Sequence, residues 1–509
     1  MKKRTYLFIV IVIVGLLSVP LINLVLSVEK QQRLHINKSS LFNLDFASQI
    51  LNQWLYQFGI SMDPSNIIIG YDGWLYLGNA HSNIQTVSRK GITPSEVEEI
   101  RDINYASREW ERWLKSQGVK LFKVMVAPNK GSVFPEHLPK WATPAPQRVL
   151  DDYFGVVDNS RFIDLRKPLF HAKNSYKNPI YYQTDTHWNP LGAGLAFEYF
   201  VNTIRAEAPE LAWLPDNMYE VAEVVPRAAG DLAMFLRIES SLPETEVVIN
   251  AYHYPTTITQ YDFTSGEKVY NGANTQLFAP HTPQKIVSDN ALNQAKVLWV
   301  RDSFGNAMSP LMAATFSETL QIHYAKAFEP SDVFVHLVSQ FKPDYVFFTV
   351  VERDVRQPLF AHLPPDSLAL DRTRTLSGPQ ETLSLSGFHH LEKTPSPYEY
   401  QINGEDPYWE FVSDFKVTET SESYMKVSFS CKNPNSEIPI QLFWLEDGMN
   451  HYSEEKSAHA TLISGTNLIS LNQARGLSRN KTISKVRLDI NQQSACQTIK
   501  LEPLVVGSK

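Results

Sequence analysis

The sequence predicts a three-layer α/β domain with a largely parallel sheet, preceded by one membrane-spanning helix and followed by a small antiparallel β-sandwich. Three patterns predict it. Buried-type strands alternate with amphipathic helices between about residues 65 and 360, short segments of alternating apolar and polar residues follow from about 406, and an uncharged apolar run extends from Thr5 to Val28. At 509 residues the chain is too long for a single core.

The apolar run is long enough for a bilayer-crossing helix, which takes about 20 residues. Its end, Leu24-Val25-Leu26-Ser27-Val28, offers no good cleavage site, so residues 1–30 read as a retained anchor and not as a signal peptide. Lys2-Lys3-Arg4 stay cytoplasmic by the positive-inside rule, which places the rest of the chain beyond the inner membrane, in the periplasm. Residues 31–64 read as a tether with an amphipathic piece around Leu51, Trp54, Leu55 and Phe58.

The main domain, expected over 65–360, opens with the hairpin Ile67 to Leu77, with Asp72-Gly73 at its turn. Thr93-Pro94-Ser95-Glu96 is a capping box that starts a helix ended by Gly118. Strands follow at Val119 to Val126 and Phe162 to Leu165, and a helix starts at Asn189-Pro190. Between about 208 and 290 short β-like pieces replace the α/β rhythm and read as a β-rich insertion. The rhythm resumes at Lys296 to Val300; an apolar helical segment through Phe316, a short strand near Thr319 to His323, a helix from Ser331 to Phe341 and a strand from Tyr345 to Val351 complete it. Residues 361–405, rich in Pro, Ser and Thr, read as a covering loop and linker, and 406–509 as the β-sandwich.

Two polar motifs lie at strand-to-loop junctions. Asp185 and His187 stand two residues apart, so in an extended segment the carboxylate can orient the imidazole. Ser303 follows the strand Lys296 to Val300 and precedes a helical segment, which exposes its hydroxyl at a sheet edge and brings the following N–H groups into reach of an oxyanion. A serine hydroxyl needs a base to become a nucleophile, and His187 can be that base. Taken singly, each motif reads first as an ordinary cap or loop hydrogen bond; the pair on one α/β domain is what points to catalysis.

Asp185-Thr186-His187-Trp188 together with Asp302-Ser303-Phe304 resembles the SGNH-hydrolase-like domain of the AlgJ/AlgX alginate O-acetyltransferase family. Gly70 to Tyr76, Pro128-Asn129-Lys130 and Pro135-Glu136 are similar to stretches of that family, and the resemblance covers roughly residues 65 to 355. It implies Ser303 as nucleophile, His187 as general base and Asp185 as its orienting carboxylate, in an enzyme that acetylates an exported polysaccharide. It also implies an acetyl donor delivered by a multipass membrane acyltransferase, and no metal or other cofactor. One departure stands out: Arg301 occupies the place of the glycine in a Gly-Asp-Ser block.

A net charge of −7 and the lack of any dense Lys/Arg run beyond the N-terminus exclude a dominant nucleic-acid role. An acetyl esterase with the same three residues and a noncatalytic polysaccharide-binding protein are the competing classes. For the latter, Trp409, Phe443, Trp444 and Tyr452 are candidate sugar-stacking residues in the β-sandwich, which makes that region a possible carbohydrate-binding module. Cys431 and Cys496, the only cysteines, are open to both a disulfide and two separate thiols.

Overall fold

The computed structural model describes residues 2–29, 41–328, 333–371, 375–418, 422–431, 436–490 and 496–508. Residues 30–40 and 331–332, part of the expected tether and helix, lie outside the described residues. The apolar run forms one helix, Lys2–Glu29, and its segment Phe8–Val25 is long and apolar enough to cross a membrane. The amphipathic piece is the helix Asp45–Tyr56.

The chain divides into two compact units. The first comprises residues 1–97, 123–329 and 343–356. It begins with the hairpin β1 (Ile67–Ile69) and β2 (Leu75–Leu77), which pair antiparallel. Its turn needs left-handed backbone at both central residues, and Asp72 (φ 57°) and Gly73 (φ 82°), residue types that tolerate it, supply this.

The main sheet has eight strands in the order β4-β3-β12-β10-β11-β9-β7-β8. They are β3 (Leu121–Ala127), β4 (Phe162–Asp164), β7 (Thr257–Asp262), β8 (Lys268–Ala273), β9 (Gln284–Asp289), β10 (Asn293–Arg301), β11 (Phe316–His323) and β12 (Tyr345–Val351). β10 lies at the centre of the buried part and runs parallel to both neighbours, Arg301 standing opposite His323 on β11 and Thr349 on β12. The carboxyl ends of β10, β11 and β12 therefore share one edge, and the residue after β10 opens onto it. Val297, Leu298, Trp299 and Val300 are fully buried, the continuous apolar run expected of a strand covered on both faces.

The stretch expected as an insertion behaves differently. β9 pairs antiparallel with β11, and β7 with β9 and β8, so these strands prolong the sheet itself. β5 (Val221–Arg227) and β6 (Glu244–Ile249) form a separate two-stranded ribbon. Phe316, expected in a helix, opens β11, because the helix Ser309–Thr315 is only seven residues long.

The second unit comprises residues 98–122, 330–342 and 357–509. It holds two antiparallel sheets of eight and five strands. Trp409, Trp444 and Val486 of one sheet and Met425, Ile469 and Ile499 of the other belong to one buried cluster. Residues 361–405, expected as loop and linker, contribute Ser384–His389, Leu391–Lys393 and Glu399–Ile402 to these sheets as strands. Their Ser and Pro content reflects exposed sheet margins, where short, polar strands are common. Trp409 and Trp444, expected as glycan-stacking residues, are 1% and 2% exposed. Strand alternation turns them inward, which removes them from that role. Cys431 and Cys496 are joined by a disulfide, with Cα atoms 5.8 Å apart.

One carboxylate ties this unit together. Glu109, on the helix Pro94–Ser116, is fully buried and accepts hydrogen bonds from Thr461 Oγ1 (2.8 Å), Ser367 Oγ (2.9 Å) and Arg112 Nε (3.2 Å). Glu109→Ala leaves all three donors without this acceptor. Urea unfolding followed through this unit's tryptophans is expected to show a loss of about 3 kcal/mol.

Candidate active site

Asp185, Thr186 and His187 lie on a loop closed by the bridge between Tyr181 and Trp188. Asn189 caps the helix Pro190–Ile204 that follows, its side chain accepting from the Gly192 N–H at 3.1 Å. The loop is not extended. Asp185 Oδ1 accepts the backbone N–H of His187 at 3.1 Å, a tight local turn, and the same oxygen lies 2.6 Å from His187 Nδ1. On the other side of the ring, His187 Nε2 is 2.7 Å from Ser303 Oγ. The three residues singled out in the sequence therefore meet in one hydrogen-bonded line. With Nδ1–H donating to Asp185, Nε2 is left as the acceptor for the serine proton.

Several buried groups fix this loop. Lys130, next to the end of β3, donates to the carbonyls of Asp185 (2.6 Å), Gln183 (3.0 Å) and Tyr182 (3.2 Å) and lies over the Trp74 and Tyr76 rings. Burial pushes its ammonium down to about 7, against the opposing charges of Asp185, Asp231 and Glu244. Glu244 accepts from Thr184 N–H and Oγ1, both at 2.8 Å. Trp188 Nε1 donates to the Phe304 carbonyl at 2.9 Å, which joins the histidine loop to the serine turn. Burial would raise the Asp185 carboxyl, but its bond to His187, the imidazole's charge and Arg227 hold it below the usual carboxylate range.

Ser303 begins a short 3₁₀ turn immediately after β10 and Asp302. The N–H groups that follow it were expected to bind an oxyanion; the turn instead uses them internally. Phe304 N–H donates to Asp302 Oδ1 (2.8 Å), Gly305 N–H to the Asp302 carbonyl (3.2 Å) and Asn306 N–H to the Ser303 carbonyl (3.0 Å). Tight turns satisfy their own donors first, so the donors that follow Ser303 are spent within the turn.

Asp302 also accepts the Val351 N–H at 2.7 Å and so ties β10 to β12. Burial pushes its carboxyl up to about 6, opposed by Arg353 and the two backbone donors. Because this lies above the unfolded value of about 4, the stabilising contribution is complete below about pH 4 and is lost as pH rises through the folded value. The melting temperature of Asp302→Asn is therefore expected to vary less than that of wild type between about pH 4 and 6.

Arg301 does not displace Ser303. Its guanidinium is fully buried beneath the turn, donating to Gln321 Oε1 (2.9 Å), Asn306 Oδ1 (2.8 Å) and the Leu277 and Phe278 carbonyls (2.9 and 3.2 Å). It lies 4.7 Å over the Trp299 ring, and burial pushes it down to about 9. The side chain that replaces a glycine is thus a strut between the serine turn and the 277–278 loop.

Beyond the serine, Glu352 accepts from Asn129 N–H (2.9 Å) and Ser132 Oγ (2.6 Å), and Arg353 donates to Asn129 Oδ1 (3.1 Å). A cavity of about 40 Å³ lies here, lined among others by Leu77, Ile84, Leu138, Leu232, Asn129 and Arg353. Asp185, His187 and Asp231 present ligand atoms within 4.8 Å of one another, the arrangement among the described residues that could hold a cation. A cation on Nδ1 would have to break the 2.6 Å bond to Asp185, so the hydrogen-bonded line is the arrangement these residues favour. The fold also brings Lys130 and Asp231, which are not among the three residues expected from the sequence, to this site. The signals were a lysine in a strand-end loop and a glycine before a helix-opening aspartate.

Residues 67–287 match the family described as SGNH hydrolase-like domain, acetyltransferase AlgX, so this part of the chain is similar to that domain. A curated relative, "Probable alginate O-acetylase AlgJ" of Pseudomonas fluorescens, is 33% identical over 180 residues, which is 34% of this chain and 42% of the relative. The chain thus spans about two fifths of that protein's length. Of solved structures, Bacillus cereus PatB1 with a sulfonyl adduct aligns with 58% of this chain and 100% of that chain (19% identity, TM-score 0.44). The O-acetyltransferase domain of Pseudomonas putida AlgJ aligns with 57% and 92% (18% identity, TM-score 0.35).

Proposed function

We propose that this protein is a polysaccharide O-acetyltransferase that carries the acetyl group on Ser303. The observation that supports this reading most is the line from Asp185 through His187 to Ser303, with contacts of 2.6 and 2.7 Å. His187 Nε2 takes the Ser303 proton as Oγ forms a bond to the donor's acetyl carbon. The donor's C–O bond breaks, and its oxygen leaves with the proton from Nε2. A sugar hydroxyl then gives its proton to Nε2 and attacks the acetyl carbon; the bond to Oγ breaks and Ser303 regains its proton. Asp185 stabilises the imidazolium in both halves.

The acceptor in this reading is an exported polysaccharide, alginate or a related polymer, in keeping with the AlgJ relative's name. The helix Lys2–Glu29 holds the domain at the inner membrane on its periplasmic side, near a multipass membrane acyltransferase that supplies acetyl groups. The full chain, incubated in detergent with an activated acetyl ester and alginate oligosaccharides, is expected to yield acetylated oligosaccharides by mass spectrometry. Release of acetate with no acetylated sugar would replace this reading with an esterase, and no turnover at all would overturn both.

A further inference from the structure

The catalytic histidine faces two carboxylates. Asp231 opens the short helix Asp231–Phe235, and its loop interlocks with the Asp185 loop strand for strand. Gly230 N–H donates to Thr184 Oγ1 (2.8 Å), and Ala233 N–H to the Thr184 carbonyl (3.2 Å). Asp231 N–H lies 3.4 Å from Asp185 Oδ2, and Thr186 N–H donates to Asp231 Oδ1 at 2.7 Å. The remaining oxygen, Asp231 Oδ2, stands 3.8 Å from His187 Nδ1, on the side of the ring away from the serine bond.

We propose that Asp231 is a second positioning carboxylate of the base: one oxygen holds the Thr186 peptide in place while the other adds negative charge beside the imidazole. This deepens the acyl-transfer reading and rests on it. The Thr186 backbone donor fixes Asp231 with its second oxygen 3.8 Å from Nδ1. An ordinary helix-capping aspartate would bond to the N–H groups of its own helix; this one bonds to the catalytic loop instead. Burial, followed by the Asp185 charge, pushes the Asp231 carboxyl up, with His187 and the Thr186 donor pulling it back.

The other charged groups around this pair are accounted for. Asp185 shares Nδ1, and Arg227 at the end of β5 stands 3.7 Å from Asp185 Oδ2 while bridging to Glu246 at 3.3 Å. Lys130 and Glu244 sit behind the loop. His81, beside Phe235, is coupled to Asp231, Arg353, Asp354 and Asp63, and burial pulls it down. Ser303 is the neutral partner on the far side.

Asp231→Asn separates the two functions, since an amide oxygen can still accept the Thr186 N–H while the charge is gone. The test is the pH dependence of kcat/KM for cleavage of an activated acetyl ester by the full chain, with thermal unfolding run in parallel. Loss of a negative charge about 4 Å away disfavours the protonated imidazole, so the acid limb is expected to move to lower pH by at least about 0.7 unit. Asp231→Ala, which also removes the acceptor for Thr186, is expected to lower kcat further and to show the same limb displacement. A folded Asp231→Asn variant whose acid limb coincides with wild type overturns the proposal. The underlying reading is checked separately, by whether Ser303→Ala still turns over the ester.

Discussion

Ser303→Ala is expected to abolish acetyl transfer to oligosaccharide and to leave a rate lower by a factor on the order of 10⁴ for activated-ester cleavage. The substitution removes only Oγ, which bonds to His187 Nε2 at 2.7 Å. The turn around it rests on Asp302, Phe304, Gly305 and Asn306, none of which uses the serine side chain. Folding should therefore be preserved, and the melting temperature is expected to stay close to wild type. His187→Ala should fall by a similar factor and the double variant by little more, because the two groups act as a unit. Steady-state kinetics on the three variants checks this. A Ser303→Ala enzyme within tenfold of wild type would mean that another group carries the acyl chemistry.

Gly230→Ala is the second large effect. A Cβ at this position would sit 2.2 Å from Asp185 Cβ and 2.4 Å from Asp185 Oδ2, well inside contact distance. Neither neighbour can withdraw cheaply. The Asp185 carboxylate is held by His187 and the Asp185 carbonyl by Lys130, while Gly230 is fastened to Thr184. The methyl group must therefore push the Asp231 loop and the His187 loop apart. Displacing a catalytic group by about 1 Å costs on the order of 10²-fold in rate. We expect kcat to fall by about that factor, with acceptor KM changed much less and a lower melting temperature. An unchanged kcat would show that the two loops are not as tightly coupled as their contacts require.

Much of this molecule was legible in local pattern. The apolar N-terminal helix followed from an uncharged run, the hairpin from Asp72-Gly73, and the helix at Pro94 from a capping box in which Thr93 and Glu96 do exchange bonds. The line formed by Asp185, His187 and Ser303 was also anticipated, although by a different geometry. An extended segment was expected to bring the Asp and His together, whereas a tight turn closed by Asp185 does so. Both depend on a two-residue spacing, so the residues could be chosen correctly while the backbone was not.

Other features were not legible, and each has a long-range cause. The oxyanion donors expected after Ser303 are spent inside the turn, a matter of which neighbour each N–H reaches first. Arg301, in the place of a glycine, has its guanidinium held by Gln321 and the carbonyls of Leu277 and Phe278, residues twenty or more positions distant. Trp409 and Trp444, candidates for sugar stacking, are turned inward by strand register.

Residue order alone was enough to specify what short-range forces decide: helix starts and stops, strand periodicity, turn chemistry and the apolar N-terminal helix. These depend on torsional preferences and on hydrogen bonds between residues a few positions apart. Only the folded chain decided how Ser303 meets His187 across 116 positions, which carbonyls surround Lys130, and that Asp231 adds a second charge to the same imidazole. Those contacts arise where separate loops are desolvated together at one sheet edge, and no local spacing encodes which loops will share it.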